Sequence, residues 1–149
     1  MSDLKFSVVG DSLSATQFIG QSRQFTLIVD DSKDLSGSDA NANPLEYILA
    51  GFAGTANVIG HSAANELGFT IKNLKIEVSG ELLPKPSLYT NQDASFKSIH
   101  VNFIPECNAS IIDLAKWLQI VEERCPIKDS LQYKTALKIS VEKEFAAKN

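Results

Sequence analysis

The sequence predicts an α+β fold in which antiparallel strands surround one long apolar helix and the chain pairs with a second copy of itself. Three observations lead there. Residues 4–29 break into short runs rich in β-branched and aromatic residues, each closed by Gly or Asp. Residues 43–68 carry a complete set of helix start and stop signals around an apolar stretch. After them the chain returns to strand-like alternation, with one further helix before the end. A chain of 149 residues, 44% hydrophobic and 21% charged, has the size and composition of a single globular domain spanning 1–149.

The first run, Leu4 to Val9, ends at the turn signal Gly10-Asp11; the second, Ala15 to Ile19, ends at Gly20; the third, Gln24 to Val29, ends at Asp30-Asp31. Together they read as an antiparallel meander. Residues 30–43 are small, polar and aperiodic, and predict a loop long enough to have a function of its own.

Asn43 then supplies a cap side chain, Pro44 the first helical position, and Glu46 the third position of a capping box. The helix is expected to run to Leu67, with Gly68 as its left-handed stop, roughly 35 Å at 1.5 Å per residue. Alanines and glycines surround its axis, which places it in the middle of the structure. Interior glycines cost about 1 kcal/mol each relative to alanine. Gly51, Gly54 and Gly60 therefore call for close approach by another helix. A domain of this size has few elements to wrap such a helix, and this predicts a homodimer with the two long helices near each other.

Leu74, Ile76 and Val78 alternate within 71–80 and predict a half-buried strand; 83–93, with two prolines, predicts a second loop; and 96–104 resumes strand character. Asn108 or Ser110 caps a second helix whose apolar positions run from Ile111 to Cys125, where Pro126 stops it. Leu137, Ile139 and Val141 predict a final strand over 135–145.

Charge and composition exclude several classes. A net charge of −4 and scattered lysines argue against nucleic-acid binding, which needs a basic surface. The stretch from Leu45 to Leu67 is long enough to span a bilayer, but it contains Asn57, His61, Asn65 and Glu66 and lacks a flanking basic cluster, so a buried helix is expected. The first residues show no signal-peptide pattern. With only two cysteines the chain has no disulfide framework, and both facts suit a reducing cytoplasm. His61 and His100 lack metal-ligand spacing, so neither a metal nor a cofactor is expected.

Three segments in order resemble the OsmC/Ohr superfamily of thiol-dependent peroxide-handling proteins. They are Arg23 to Asp31, a strand entering an acidic turn; Asn43 to Thr55, similar to the central-helix signature; and Val121 to Ile127, similar to the second-cysteine motif. The resemblance covers nearly the whole chain and implies antiparallel sheets around long central helices in an intertwined homodimer. It also implies a reaction: a cysteine of the central helix attacks a hydroperoxide, and its sulfenic acid condenses with the second cysteine. In this chain the first position is Thr55 and the second is Cys125. A threonine hydroxyl is barely ionised at neutral pH and has no counterpart to the sulfenate–disulfide cycle, so the two-cysteine mechanism cannot run. Cys107 cannot replace the missing thiol, because a helix over 110–125 would hold it roughly 20–25 Å from Cys125, whereas a disulfide needs Cα atoms within about 7 Å.

Each candidate residue has a plain reading beside its chemical one. Cys125 is either a lone reactive thiol or, as preferred, a small apolar residue beside a helix-stopping proline. Thr55 either bonds back to the carbonyl of Gly51 or, as preferred, lines the former active-site pocket without covalent chemistry. Glu46 matches an acidic position of one family branch, but capping and helix-dipole stabilisation explain it better. Arg23 could orient a carboxylate or peroxide, although the peroxidase branch carries its arginine nearer Gly10-Asp11-Ser12. Thr55 and His61, six residues apart, do not face each other on one helix. Two functional expectations follow: a scaffold that binds a small hydrophobic molecule without turnover, or a one-cysteine hydroperoxide reductase using Cys125.

Overall fold

A computed structural model describes residues 2–33, 36–82, 95–133 and 135–143. The elements are β1 (Val9–Ser12), β2 (Gln17–Ser22), β3 (Phe25–Asp30), α1 (Pro44–Leu67), β4 (Asn73–Leu82), β5 (Phe96–Glu106), α2 (Ile111–Arg124) and α3 (Pro126–Gln132). They form an α+β structure with two antiparallel sheets, the meander β1-β2-β3 and the hairpin β4-β5. The predicted loop over 83–93 lies outside the described residues.

The meander is present but displaced from its expected boundaries. Gly10 and Asp11 lie inside β1, where Gly10 stands opposite Gly20 of β2. A Cβ on Gly10 would sit 2.1 Å from the carbonyl oxygen of Ile19. These glycines permit close backbone approach between strands and do not end them. The turn falls instead on Arg23-Gln24, between the paired residues Ser22 and Phe25. Arg23 takes a left-handed φ of 54° there, a conformation that a two-residue hairpin demands and usually gives to glycine.

The long helix follows its signals closely. The Asn43 side chain accepts from the Glu46 N–H at 2.8 Å, and Glu46 Oε1 accepts from the Asn43 N–H at 3.2 Å. Pro44 opens the helix and Gly68, at φ 85°, closes it. One face of α1 forms the core with Ala56, Ala63 and Ala64 against Trp117 and Val121 of α2 and Ile71 beyond the helix. Trp117 explains Gly60: a Cβ there would meet the indole at 3.0 Å and Leu74 at 3.3 Å. The indole Nε1 also donates to the Gly60 carbonyl at 2.7 Å. The close approach expected of a twin helix is thus supplied at Gly60 by a helix of the same chain. Gly51 and Gly54 have nothing within 4 Å.

Ser110 is the cap of α2, its hydroxyl accepting from the Asp113 N–H at 3.1 Å. Pro126 ends that helix, as expected, and also begins the short α3, which the sequence reading did not foresee. A proline disfavours helix in the residue before it and suits the first position of a new one. Over 135–143, the described part of the predicted final strand, no strand is formed. Residues 135–143 are in neither helix nor strand, and Leu137, Ile139 and Val141 are 83–93% exposed. The alternation is that of a half-buried strand, but among the described residues no strand pairs with it.

The loop over 30–43 folds back on the meander through a buried carboxylate. Asp30 accepts from the Ser38 hydroxyl, from Gln17 Nε2 at 3.1 Å and from the Ala40 N–H at 3.1 Å. The Ser38 hydroxyl, ahead of Gln17 and the backbone donors, holds the carboxyl down to about 2 from its ordinary 3.8, against the upward push of burial. A depressed folded-state pKa stabilises the protein above pH 4, and that contribution disappears as pH falls from about 4 to about 2. Thermal midpoints measured from pH 5 to pH 2 are expected to drop more steeply for the natural protein than for Asp30→Asn. Parallel curves would show that the clasp carries no pH-dependent stability.

Candidate functional site

Between α2 and α3 the chain has a single residue, Cys125, in extended conformation with ψ 108°. Its thiol is 1% exposed and free. Helical spacing along α2 brings Leu118 and Val121 to the same face, and these, with Phe52 of α1 and Phe103 of β5, enclose a cavity of about 240 Å³ beside Cys125. A larger, more open cavity of about 680 Å³ adjoins it, bounded by Ile48 and Leu45 of α1, Phe96 and Ile99 of β5, and Leu131 of α3. Phe52, Val101 and Lys128 line both, so the two form one groove with Cys125 at its narrow end.

The four residues singled out from the sequence do not all converge on this groove. Cys125 lines it. Thr55 is half-buried and follows Phe52 by three residues, about 60° around the helix, but it lines neither cavity. Its hydroxyl makes no bond to the Gly51 carbonyl, and since no buried side-chain oxygen among the described residues lacks a partner, Oγ1 reaches solvent. Glu46 is committed to the cap of α1. It borders a separate shallow depression with Ala50, Ala53 and Ile76, about 120° around the helix from Phe52. Arg23 sits at the tip of the β2–β3 hairpin with its guanidinium 5.0 Å from the centroid of Phe25. It lines neither cavity.

Sequence reading missed Phe52, Val101 and Lys128 as groove residues. Phe52 and Val101 read as ordinary core positions, and Lys128 belongs to the unforeseen α3. Arg124, next to Cys125, makes a two-pronged ion pair with Glu66 at 2.7 and 3.0 Å, pinning the end of α2 to the end of α1. That pairing lowers the Glu66 pKa and raises that of Arg124. Among the described residues no three His, Cys, Asp or Glu side chains could hold a metal ion. No helix among them is long and apolar enough to cross a membrane.

A long alanine- and glycine-rich helix, an antiparallel strand pair beside it, and a Cys-Pro junction bordering an apolar groove make up an α+β fold. A model of the OsmC-like protein family matches residues 37–142, and the chain belongs to that family. Among solved structures it is similar to an OsmC-like protein from Mycoplasma pneumoniae, with 21% identity, TM-score 0.77, and coverage of 88% of this chain and 89% of that one. It is also similar to an organic hydroperoxide resistance protein, OsmC, from Legionella pneumophila, at 12% identity and TM-score 0.69 over 87% and 92% of the chains. An OsmC-like hydroperoxide resistance protein from Jannaschia matches at 16% identity and TM-score 0.59 over 92% and 91%. A search of curated protein sequences finds no match.

Proposed function

We propose that this chain is an OsmC-family protein that has lost the peroxide-attacking thiol and binds a small apolar molecule, as a homodimer, in the groove beside Cys125. One observation carries the reading: Cys125 lines an apolar groove, while the central-helix position that the resemblance assigns to the nucleophile is Thr55. The Thr55 oxygen is too weak an acid to supply the nucleophile, and it forms no product equivalent to a sulfenic acid that Cys125 could capture. The groove keeps the mostly apolar walls with a few polar groups that suit a small-molecule site.

The dimer is supported by what a single chain leaves uncovered. Leu4, Phe6 and Val9 at one end and Leu137, Ile139 and Val141 at the other stand 75–93% exposed. The Gly51–Gly54 face of α1 is bare as well, and a second copy of the helix could approach closely there.

The test is a dithiol-coupled assay with cumene hydroperoxide on the natural protein and Thr55→Cys. The natural protein is expected to show no turnover above the uncatalysed rate, and Thr55→Cys to acquire dithiol-dependent reduction. Robust turnover by the natural protein would overturn the reading. If Cys125→Ser then abolished that turnover, Cys125 would be acting as a one-cysteine centre. The position of Cys125 against an apolar cavity favours this second reading over one involving Cys107, which adjoins a shallow depression beside Lys72 and Glu106.

A further inference from the structure

A boundary between held and loosely held structure falls at Cys125. On its N-terminal side α2 is fixed to α1. Trp117 and Val121 lie in the core, the indole donates to the Gly60 carbonyl, and Arg124 grips Glu66 with both terminal guanidinium nitrogens. On its C-terminal side the seven residues of α3 include no buried one. Ile127 and Lys128 are half-buried and Leu131 is exposed. Among the described residues, the polar bonds of α3 all close within 125–133. The Asp129 N–H donates to the Cys125 carbonyl, the Ser130 hydroxyl to the Pro126 carbonyl and the Tyr133 N–H to the Asp129 carbonyl, while Lys128 pairs with Asp129. So short a helix draws its stability from tertiary packing, and its main packing is against α1.

The junction itself is built to turn. Cys125 alone links the two helices, extended at ψ 108°. Pro126 has no N–H to bond back to α2, and it keeps Cys125 out of the helical geometry that would fuse the helices into one rod. Cys125 is left to rotate within the broad extended region. Its own side chain, at the pivot, is 1% exposed, and Lys128 of α3 walls the cavity beside it. From this contrast we infer that α3 is a lid hinged at Cys125. Its outward swing, with α2 stationary, uncovers the thiol and opens the narrow cavity to solvent. The swing gives up the half-buried contacts of Ile127 and Lys128 and spares the core, so it costs far less than unfolding. It governs how Cys125 is reached and is independent of what the groove binds.

The experiment times alkylation of Cys125 by iodoacetamide in Cys107→Ser, where it is the sole thiol, at urea concentrations below the unfolding transition. Lid opening exposes little surface, so the rate is expected to stay nearly flat in urea and at least about ten-fold below that of the unfolded chain. Ile127→Ala, which loosens α3, should speed alkylation about five-fold while barely moving the urea midpoint. Arg124→Gln, which frees the end of α2, should leave the flat rate unchanged. In the natural protein, the amides of 129–133 should exchange with deuterium at least about ten-fold faster than those of 117–121. A rate that climbs with urea in step with global unfolding overturns the lid, as does alkylation as fast as in the unfolded chain. Faster alkylation in Arg124→Gln than in Ile127→Ala would put the moving part in α2 and overturn it too. Equal amide protection of the two segments does the same.

Discussion

Trp117→Ala is expected to lower the unfolding free energy by about 3–5 kcal/mol, the range for removing a large aromatic side chain from a core. The side chain is 2% exposed, sits between α1 and β5, and meets Phe103 edge-to-face at 5.4 Å between centroids. Its indole fills the space left by Gly60 and bonds that residue's carbonyl. The alanine variant therefore creates a void and loses a buried hydrogen bond together. Trp117→Phe separates the two: the ring largely survives while the donor is lost, and the cost should fall to about 1–2 kcal/mol. Urea denaturation of the three proteins gives the comparison. A loss under about 1 kcal/mol for the alanine variant would mean that the helix pair is not held together where the structure places its centre.

Ile139→Asp is expected to have the second large effect, on assembly. If the alternating apolar residues near the C-terminus are covered by a second copy, the natural protein sediments at twice 16.2 kDa. A carboxylate at residue 139 then shifts it toward the single-chain mass and lowers its thermal midpoint. Burying one unpaired charge in an apolar interface costs several kcal/mol, enough to displace a dimer at micromolar concentration. Sedimentation velocity decides the matter: a natural protein at 16.2 kDa ends the homodimer proposal, and an unshifted dimer of the variant places the contact elsewhere.

Legibility from sequence followed the range of the forces involved. The long helix was readable to the residue because Asn43, Pro44, Glu46 and Gly68 act within one turn of the ends they define. Strands β4 and β5 were readable because one face of each is partly buried along much of its length, imprinting a period of two. Gly10 and Gly20 misled because glycine serves both turns and close strand approach, and only the pairing partner distinguishes them. Residues 135–143 carry a strand's pattern without forming one, since a pattern records a need for burial and does not name what supplies it. At the site, Cys125 was legible through the Cys-Pro junction. The groove was not, because Phe52, Val101 and Lys128 meet only after three elements, α1, β5 and α3, have packed.

The attachment of the meander to the rest of the chain has a consequence for motion. Tyr47 donates its hydroxyl to the Ile28 carbonyl at 2.8 Å, which ties β3 to α1, while the core built around Trp117 includes no residue of β1–β3. Among the described residues, detaching this arm breaks that tether and leaves the centre undisturbed, whereas parting α1 from α2 requires the whole centre to come apart. The molecule therefore has a low-energy mode of local opening at its N-terminal end and a much costlier one through its helices. Covering the arm from outside would raise the lower of the two toward the higher.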